Sequence, residues 1–270
     1  MRRHLTRLTL LAALAGGASA QTERPTALRE VGFDQRLGQA LPLDLALRDE
    51  AGRAVRLGDY FGKRPVVLSL VYYECPMLCT LTLNGLVSAL GVLPWNPGEE
   101  FELITVSFDP RETPAQAAAK KKAYLARYQR PQAQAGWHFL TGDAAALRAL
   151  TGAVGFRYAW DDASKQFAHP AGVVVATPDG RLARYLFGIE YAPKDLRLAL
   201  LEASSGQVGS PVDQLLLFCY RYDPATGRYG AALMRVMRTA AVLTLLALGG
   251  FMLASLRRER AQAARPGSAR

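Results

Sequence analysis

The sequence predicts an α/β protein: a central mixed sheet flanked by helices, followed by one C-terminal transmembrane helix. Strand-like and helix-like segments alternate, which argues for a partly parallel sheet covered by helices. Two continuous apolar runs, Pro65 to Tyr73 and Phe101 to Phe108, suit strands buried on both faces. Eighteen uncharged residues, Thr239 to Leu256, are long enough to cross a bilayer.

Taken in order, residues 1–20 read as an export signal. Arg2, Arg3 and Arg7 give a basic start, Leu8 to Leu14 an apolar centre too short to span a membrane, and Ala18-Ser19-Ala20 a small-residue cleavage pattern. Residues 21–40 are polar and form a lead-in segment. From 41 to 205 the chain reads as one domain of ordinary size. Leu41 to Leu47 alternates, Asp49 to Gly52 signals a turn, and Arg53 to Leu57 completes an opening hairpin. The apolar run ending at Tyr73 gives way to a helix over Thr80 to Leu93, and the run from Phe101 is the second central strand. Thr113 and Pro114 supply a cap and a first-turn proline for a helix that Pro131 stops near Arg130. Trp137 to Leu140 is a short strand, and Asp143 caps a helix reaching Thr151. Gly172 to Phe187 is a hairpin turning at Pro178-Asp179-Gly180, and Pro193 to Ser204 is the last helix of the domain.

Residues 206–238 then lead to the span at 239–256 and a basic tail at 257–270. Arg257, Arg258, Arg260, Arg265 and Arg270 follow the span and outnumber Arg228, Arg235 and Arg238 before it. That bias predicts a cytoplasmic C-terminus at a bacterial-type inner membrane, with the domain on the periplasmic or extracytoplasmic side. The net charge of +10 is spent largely on these flanks and on the signal. Lys120, Lys121 and Lys122 read as a solvated helix face, and no motif or basic stripe points to nucleic acid.

Chemistry is concentrated at Cys75-Pro76-Met77-Leu78-Cys79, which holds two of only three cysteines, where a buried strand yields to a helix. In a helix, positions four apart share a face, and unpaired N–H groups with a positive dipole end favour thiolate over thiol. Sites in such sheets lie beyond the carboxyl ends of the central strands. The pair therefore suits either a soft metal or disulfide cycling, and outside the cytosol a partner must keep it reduced. The third thiol, Cys219, is left over. A buried free cysteine, an intermolecular disulfide and an extra metal-binding thiolate are the readings open to it.

These motifs, together with Ser107-Phe108-Asp109-Pro110-Arg111-Glu112-Thr113-Pro114 and His169 before Thr177-Pro178-Asp179-Gly180, resemble the Sco/SenC family of thioredoxin-fold, membrane-anchored copper-delivery proteins for cytochrome c oxidase. The resemblance covers residues from about 30 to 205, in the family's order and approximate spacing. It implies a thioredoxin-like fold, one copper ion bound by Cys75, Cys79 and His169, and a metallochaperone rather than an enzyme. The implied partners are a cytochrome c oxidase subunit as copper acceptor, a copper donor and a thiol reductant. Met77, Thr80 and Ala168 depart from the family, which usually has Asp, Pro and Asp there, and this chain carries its anchor at the C-terminus.

Two thiolates and an imidazole make a soft, low-coordinate set suited to Cu(I), and able to accept Cu(II) with a fourth donor. Structural zinc would need four ligands and so both His138 and His169. His138 has no counterpart in the family and reads as structural. Asp109, Pro110, Thr113 and Pro114 read as a turn and a helix start, and Met77 as an apolar contact for a partner rather than a fourth donor. The competing function is a thiol–disulfide oxidoreductase using Cys75 and Cys79 as its redox pair, against which the C-x-x-x-C spacing counts. A thiol peroxidase would need one activated cysteine rather than a close pair.

Overall fold

The computed structural model describes residues 31–75, 77–209, 222–223, 228–229 and 231–263. The expected signal, Pro76, Cys219 and the tail from 264 onward lie outside the described residues. In chain order the elements are β1 (Gly32–Phe33), β2 (Ala46–Arg48), β3 (Ala54–Arg56), β4 (Val66–Val71), α1 (Leu78–Val92), β5 (Glu102–Ser107), α2 (Pro114–Tyr128), α3 (Ala133–Gly136), β6 (Trp137–Leu140) and α4 (Ala144–Val154). They continue with β7 (Phe156–Arg157), β8 (Ala159–Asp161), β9 (Gln166–Ala168), β10 (Gly172–Ala176), β11 (Leu182–Phe187), α5 (Pro193–Ser204), β12 (Tyr222–Asp223), β13 (Arg228–Tyr229) and α6 (Ala231–Ala263).

The main sheet has the order β11-β10-β4-β5-β6. Strands β4, β5 and β6 are parallel, while β10 runs antiparallel to β4 and β11 antiparallel to β10. All six residues of β4 are buried, as a strand covered on both faces requires. Polar side chains inside the sheet satisfy one another: Ser69 Oγ meets Thr105 Oγ1 at 2.9 Å, which also accepts the Trp137 Nε1–H at 3.0 Å.

Helix boundaries follow their caps. Thr113 and Gln116 form a reciprocal capping box at the start of α2, and the helix ends at a left-handed Gln129 before Pro131. Asp143 accepts the Ala145 and Ala146 N–H groups at the start of α4. Gly155, at φ +70°, ends α4, and a Cβ there would lie 2.0 Å from the Asp34 carbonyl oxygen, so only glycine fits.

Three features depart from the sequence expectations. Residues 32–40 are not a separate lead-in, because β1 pairs with β7 and the Gly38 and Leu41 N–H groups donate to the Leu182 and Gly180 carbonyls at 2.8 Å. The opening hairpin is shorter than its alternating pattern, pairing only β2 with β3. Residues 156–168 carry β7, β8 and β9, too short to register as periodic runs. The apolar stretch of α6, Arg238–Arg258, is long and apolar enough to cross a membrane and is not buried by other described residues.

Helix α1 packs closely against the loop after β11. A Cβ on Gly85 would lie 1.9 Å from the Ile189 carbonyl oxygen. Gly85→Ala is expected to cost about 1–3 kcal/mol from overpacking, outweighing a helix-propensity gain of at most ~1 kcal/mol. The midpoint of urea unfolding measures this, and an unchanged or raised midpoint would contradict the close packing.

Candidate metal centre

The site forms where β4 ends. The two cysteines do not share a helical face as the spacing suggested, because Cys75 precedes the first residue of α1 and only Cys79 lies in its first turn. Met77 provides no side-chain cap. The Cys75 sulfur takes that place, accepting the Cys79 N–H at 3.3 Å and the Met77 N–H. A thiol at a helix N-terminus is thereby biased towards thiolate.

His169 follows directly on β9, and its bond to Pro170 is trans, since no described peptide bond is cis. Its Nε2 lies 3.2 Å from the Cys79 sulfur. The other ring nitrogen meets the Pro170 carbonyl at 3.0 Å. A carbonyl can only accept, so Nδ1 carries the proton and the Nε2 lone pair faces the sulfurs. The two sulfurs and a ring nitrogen of His169 lie within 4.8 Å of one another, and all three residues are buried. Both thiols are free rather than joined.

The thiols are electrostatically unequal. A hydrogen bond from the Cys79 side chain lowers the Cys75 pKa, with further lowering from the neighbouring His169 and from backbone N–H groups, against the opposing effect of burial. Burial pushes the Cys79 thiol up, and the neighbouring Cys75 sulfur pushes it further. The reduced pair therefore rests as one thiolate beside one thiol.

The loop before Cys75 is held by a single face of α2 and the turn preceding it. Glu112 Oε2 accepts the Tyr73 N–H at 2.6 Å and the Ser107 hydroxyl at 2.5 Å, while Oε1 accepts the Glu74 N–H at 2.8 Å. Gln116, Lys120 and Tyr124, four residues apart, then bond Glu74 Oε1 at 2.6 Å, the Tyr73 carbonyl at 2.7 Å and the Thr80 carbonyl at 3.2 Å. The preceding amide, Tyr72 N–H, donates to the Cys79 sulfur at 3.3 Å.

The SCO1/SenC family model matches residues 34–200 of this chain, which contain the whole cluster. The chain belongs to the SCO1/SenC family. Among solved structures, an Aquifex aeolicus VF5 protein ascribed to electron transfer is 29% identical with a TM-score of 0.57, over 64% of this chain and 96% of that one. The copper-bound ScoI of Arabidopsis thaliana shares the fold at a TM-score of 0.50 and 17% identity, over 63% and 99% of the two chains. A Stutzerimonas stutzeri protein ascribed copper binding is 28% identical over 124 residues, 44% of this chain. The match spans 56% of that relative's length.

Within the SCO1/SenC fold, His138 stands away from the cluster on β6, tilted against Tyr60 at 4.3 Å between ring centres and bonded to Glu102 at 3.3 Å. Both histidines of a four-ligand zinc set are thus not brought together. Asp109 pairs with Arg111 at 2.7 Å, and Thr113 is occupied as a cap. Met77 is 67% exposed, between two buried thiols. The lysines are not simply a solvated face: Lys120 grips the Cys loop and Lys121 pairs with Glu50 at 2.5 Å, leaving only Lys122 exposed. Nothing in the sequence marked the aromatic shell, in which Phe108 and Tyr72 lie edge-on to His169 at 5.3 and 5.9 Å and Phe167 packs against both. Its members come from three separate segments, and only folding gathers them.

The unequal thiols set an expected reactivity. In the reduced, metal-free protein, iodoacetamide should modify Cys75 well before Cys79. Because the Cys75 pKa is lowered, its thiolate absorbance near 240 nm should persist as pH falls below the ordinary thiol value of about 8.5. In a Cys219→Ser background, raising pH through that value should add no second thiolate, because the Cys79 pKa is raised. Equal labelling of both cysteines, or loss of the thiolate signal just below pH 8, would refute the asymmetry.

Proposed function

We propose that this SCO1/SenC protein is a membrane-anchored copper metallochaperone that binds one copper ion through Cys75, Cys79 and His169 and delivers it during cytochrome c oxidase assembly. The convergence of two sulfurs and an imidazole nitrogen within 4.8 Å carries the reading. That donor set is soft and offers fewer than four protein ligands, which suits Cu(I) and leaves an edge open for ligand exchange with an acceptor. Copper binding ascribed to the Stutzerimonas relative supports it.

The apolar stretch of α6 supports an anchor, and the arginine excess after it supports a reading with the C-terminus cytoplasmic and the domain exported. In that compartment the acceptor is an oxidase subunit, and a donor and a thiol reductant must load the site.

A thiol–disulfide oxidoreductase is favoured by one observation, two free thiols side by side with the Cys75 sulfur at the amino end of α1, accepting the Cys79 N–H at 3.3 Å. Titration of the reduced protein with Cu(I) against a chromophoric chelator separates the two functions. One equivalent should bind, and His169→Ala should weaken binding by more than about tenfold, ~1.4 kcal/mol. Absence of binding, or affinity unchanged in His169→Ala, would sink the metallochaperone reading. A partner trapped covalently on Cys75 by Cys79→Ser, in cells where His169→Ala remains fully active, would instead establish the oxidoreductase.

A further inference from the structure

We infer that Glu112 is a positioning residue for the two thiols, holding them in the open dithiol arrangement that a metal requires. The inference deepens the copper-binding reading and rests on it for its functional meaning. Three consecutive amides leave the end of β4 without strand partners. Tyr72 N–H goes to the Cys79 sulfur, while those of Tyr73 and Glu74 go to the two oxygens of Glu112. Fixing the second and third amides limits the conformations open to the first, because neighbouring peptide planes are joined only through the φ and ψ of the residue between them.

Glu112 is buried at 8% exposure and accepts from three donors: two backbone N–H groups and the Ser107 hydroxyl. A carboxylate suits this task because both oxygens only accept, whereas a glutamine amide must turn an N–H towards one of the same donors. Charge-assisted bonds at these distances are the strong kind. Ser107 closes β5 and Tyr73 lies just past β4, so Glu112 also ties together the carboxyl ends of the two central strands. Glu112 touches neither sulfur in these contacts and acts only through the backbone.

The test compares the full chain with Glu112→Gln and with Leu150→Ala. The latter is a core substitution on α4, which makes none of these hydrogen bonds, and serves as a control for general destabilisation. The decisive readout is metal-free: the equilibrium of the Cys75/Cys79 dithiol plus glutathione disulfide with the protein disulfide plus two glutathiones. Glu112→Gln should shift it about tenfold towards the protein disulfide, ~30 mV, and weaken Cu(I) binding by a similar factor of about ten. Leu150→Ala should leave the equilibrium within about twofold of wild type, well below one tenfold step. If Glu112→Gln does not fold, Ser107→Ala, which removes one of the three donors, should give a smaller shift in the same direction. A glutathione equilibrium no different from that of Leu150→Ala, or in the Ser107→Ala case from wild type, overturns the positioning role. Should the wild type bind no copper, the metallochaperone reading falls while the glutathione equilibrium still decides the role of Glu112.

Discussion

Strand β4 is buried on both faces at the middle of the sheet, and the site is a consequence of where it must stop. β4 pairs with β5 along Val66–Val71 and with β10 along Val66–Ser69. Beyond Val71 that ladder is lost while Tyr72, Tyr73 and Cys75 remain buried, so their polar groups need other partners. A sulfur, a carboxylate and a lysine supply them. The same requirement that keeps a buried turn from being unsatisfied thus places two sulfurs at the amino end of α1, where the unpaired N–H groups of the helix complete the arrangement.

The shell around the donors sets their chemistry as much as their positions do. Tyr72, Phe108 and Phe156 pack against the His169 ring, with Phe167 against Tyr72 and Phe108, and the two thiols beside it are buried. In such surroundings a charge is costly unless hydrogen-bonded, and only Cys75 receives enough donors to be the thiolate. Cys79, with no accessible surface, is left as the thiol. The asymmetry follows from depth and donor supply rather than from the residue type, which is the same at both positions.

The architecture was legible because its signals were long. The apolar runs ending at Tyr73 and Phe108 became β4 and β5, Thr113 and Asp143 cap the helices they were expected to cap, and the Pro-Asp-Gly turn closes β10 onto β11. Elements of two or three residues, such as β7 and β9, carry no periodicity to detect. The cysteine pair stood out by its rarity, and His169 by its place before a strand. Glu112 did not, because in Asp109-Pro110-Arg111-Glu112-Thr113 an acidic residue beside a cap looks like one more turn residue. Its backbone partners lie 38 and 39 residues away, a separation that local spacing does not encode. The same limit applies to Lys120, whose bond to the Tyr73 carbonyl spans 47 positions.

The three donors are also unequally anchored. Cys75 is fixed between the sheet's central strand and the Glu112 contacts, and Cys79 lies inside the first turn of a fifteen-residue helix. His169 hangs from the β8–β9 hairpin, which among the described residues pairs only with itself. That hairpin is held mainly by Phe167 against Phe108 and Tyr158, and by Arg111, whose guanidinium lies 5.0 Å over Trp160 and 5.4 Å over Phe167 while paired with Asp109. An exposed cation–π contact is worth only about 0.5–1 kcal/mol. The sheet and α1 carry the sulfurs on backbone held by ladder and helix bonds, whereas the imidazole depends on side-chain packing, one bond to the Pro170 carbonyl and its contact with the Cys79 sulfur. Local opening draws first on the regions with fewest backbone ties, so the site is built as a rigid pair of sulfurs faced by a less firmly held nitrogen.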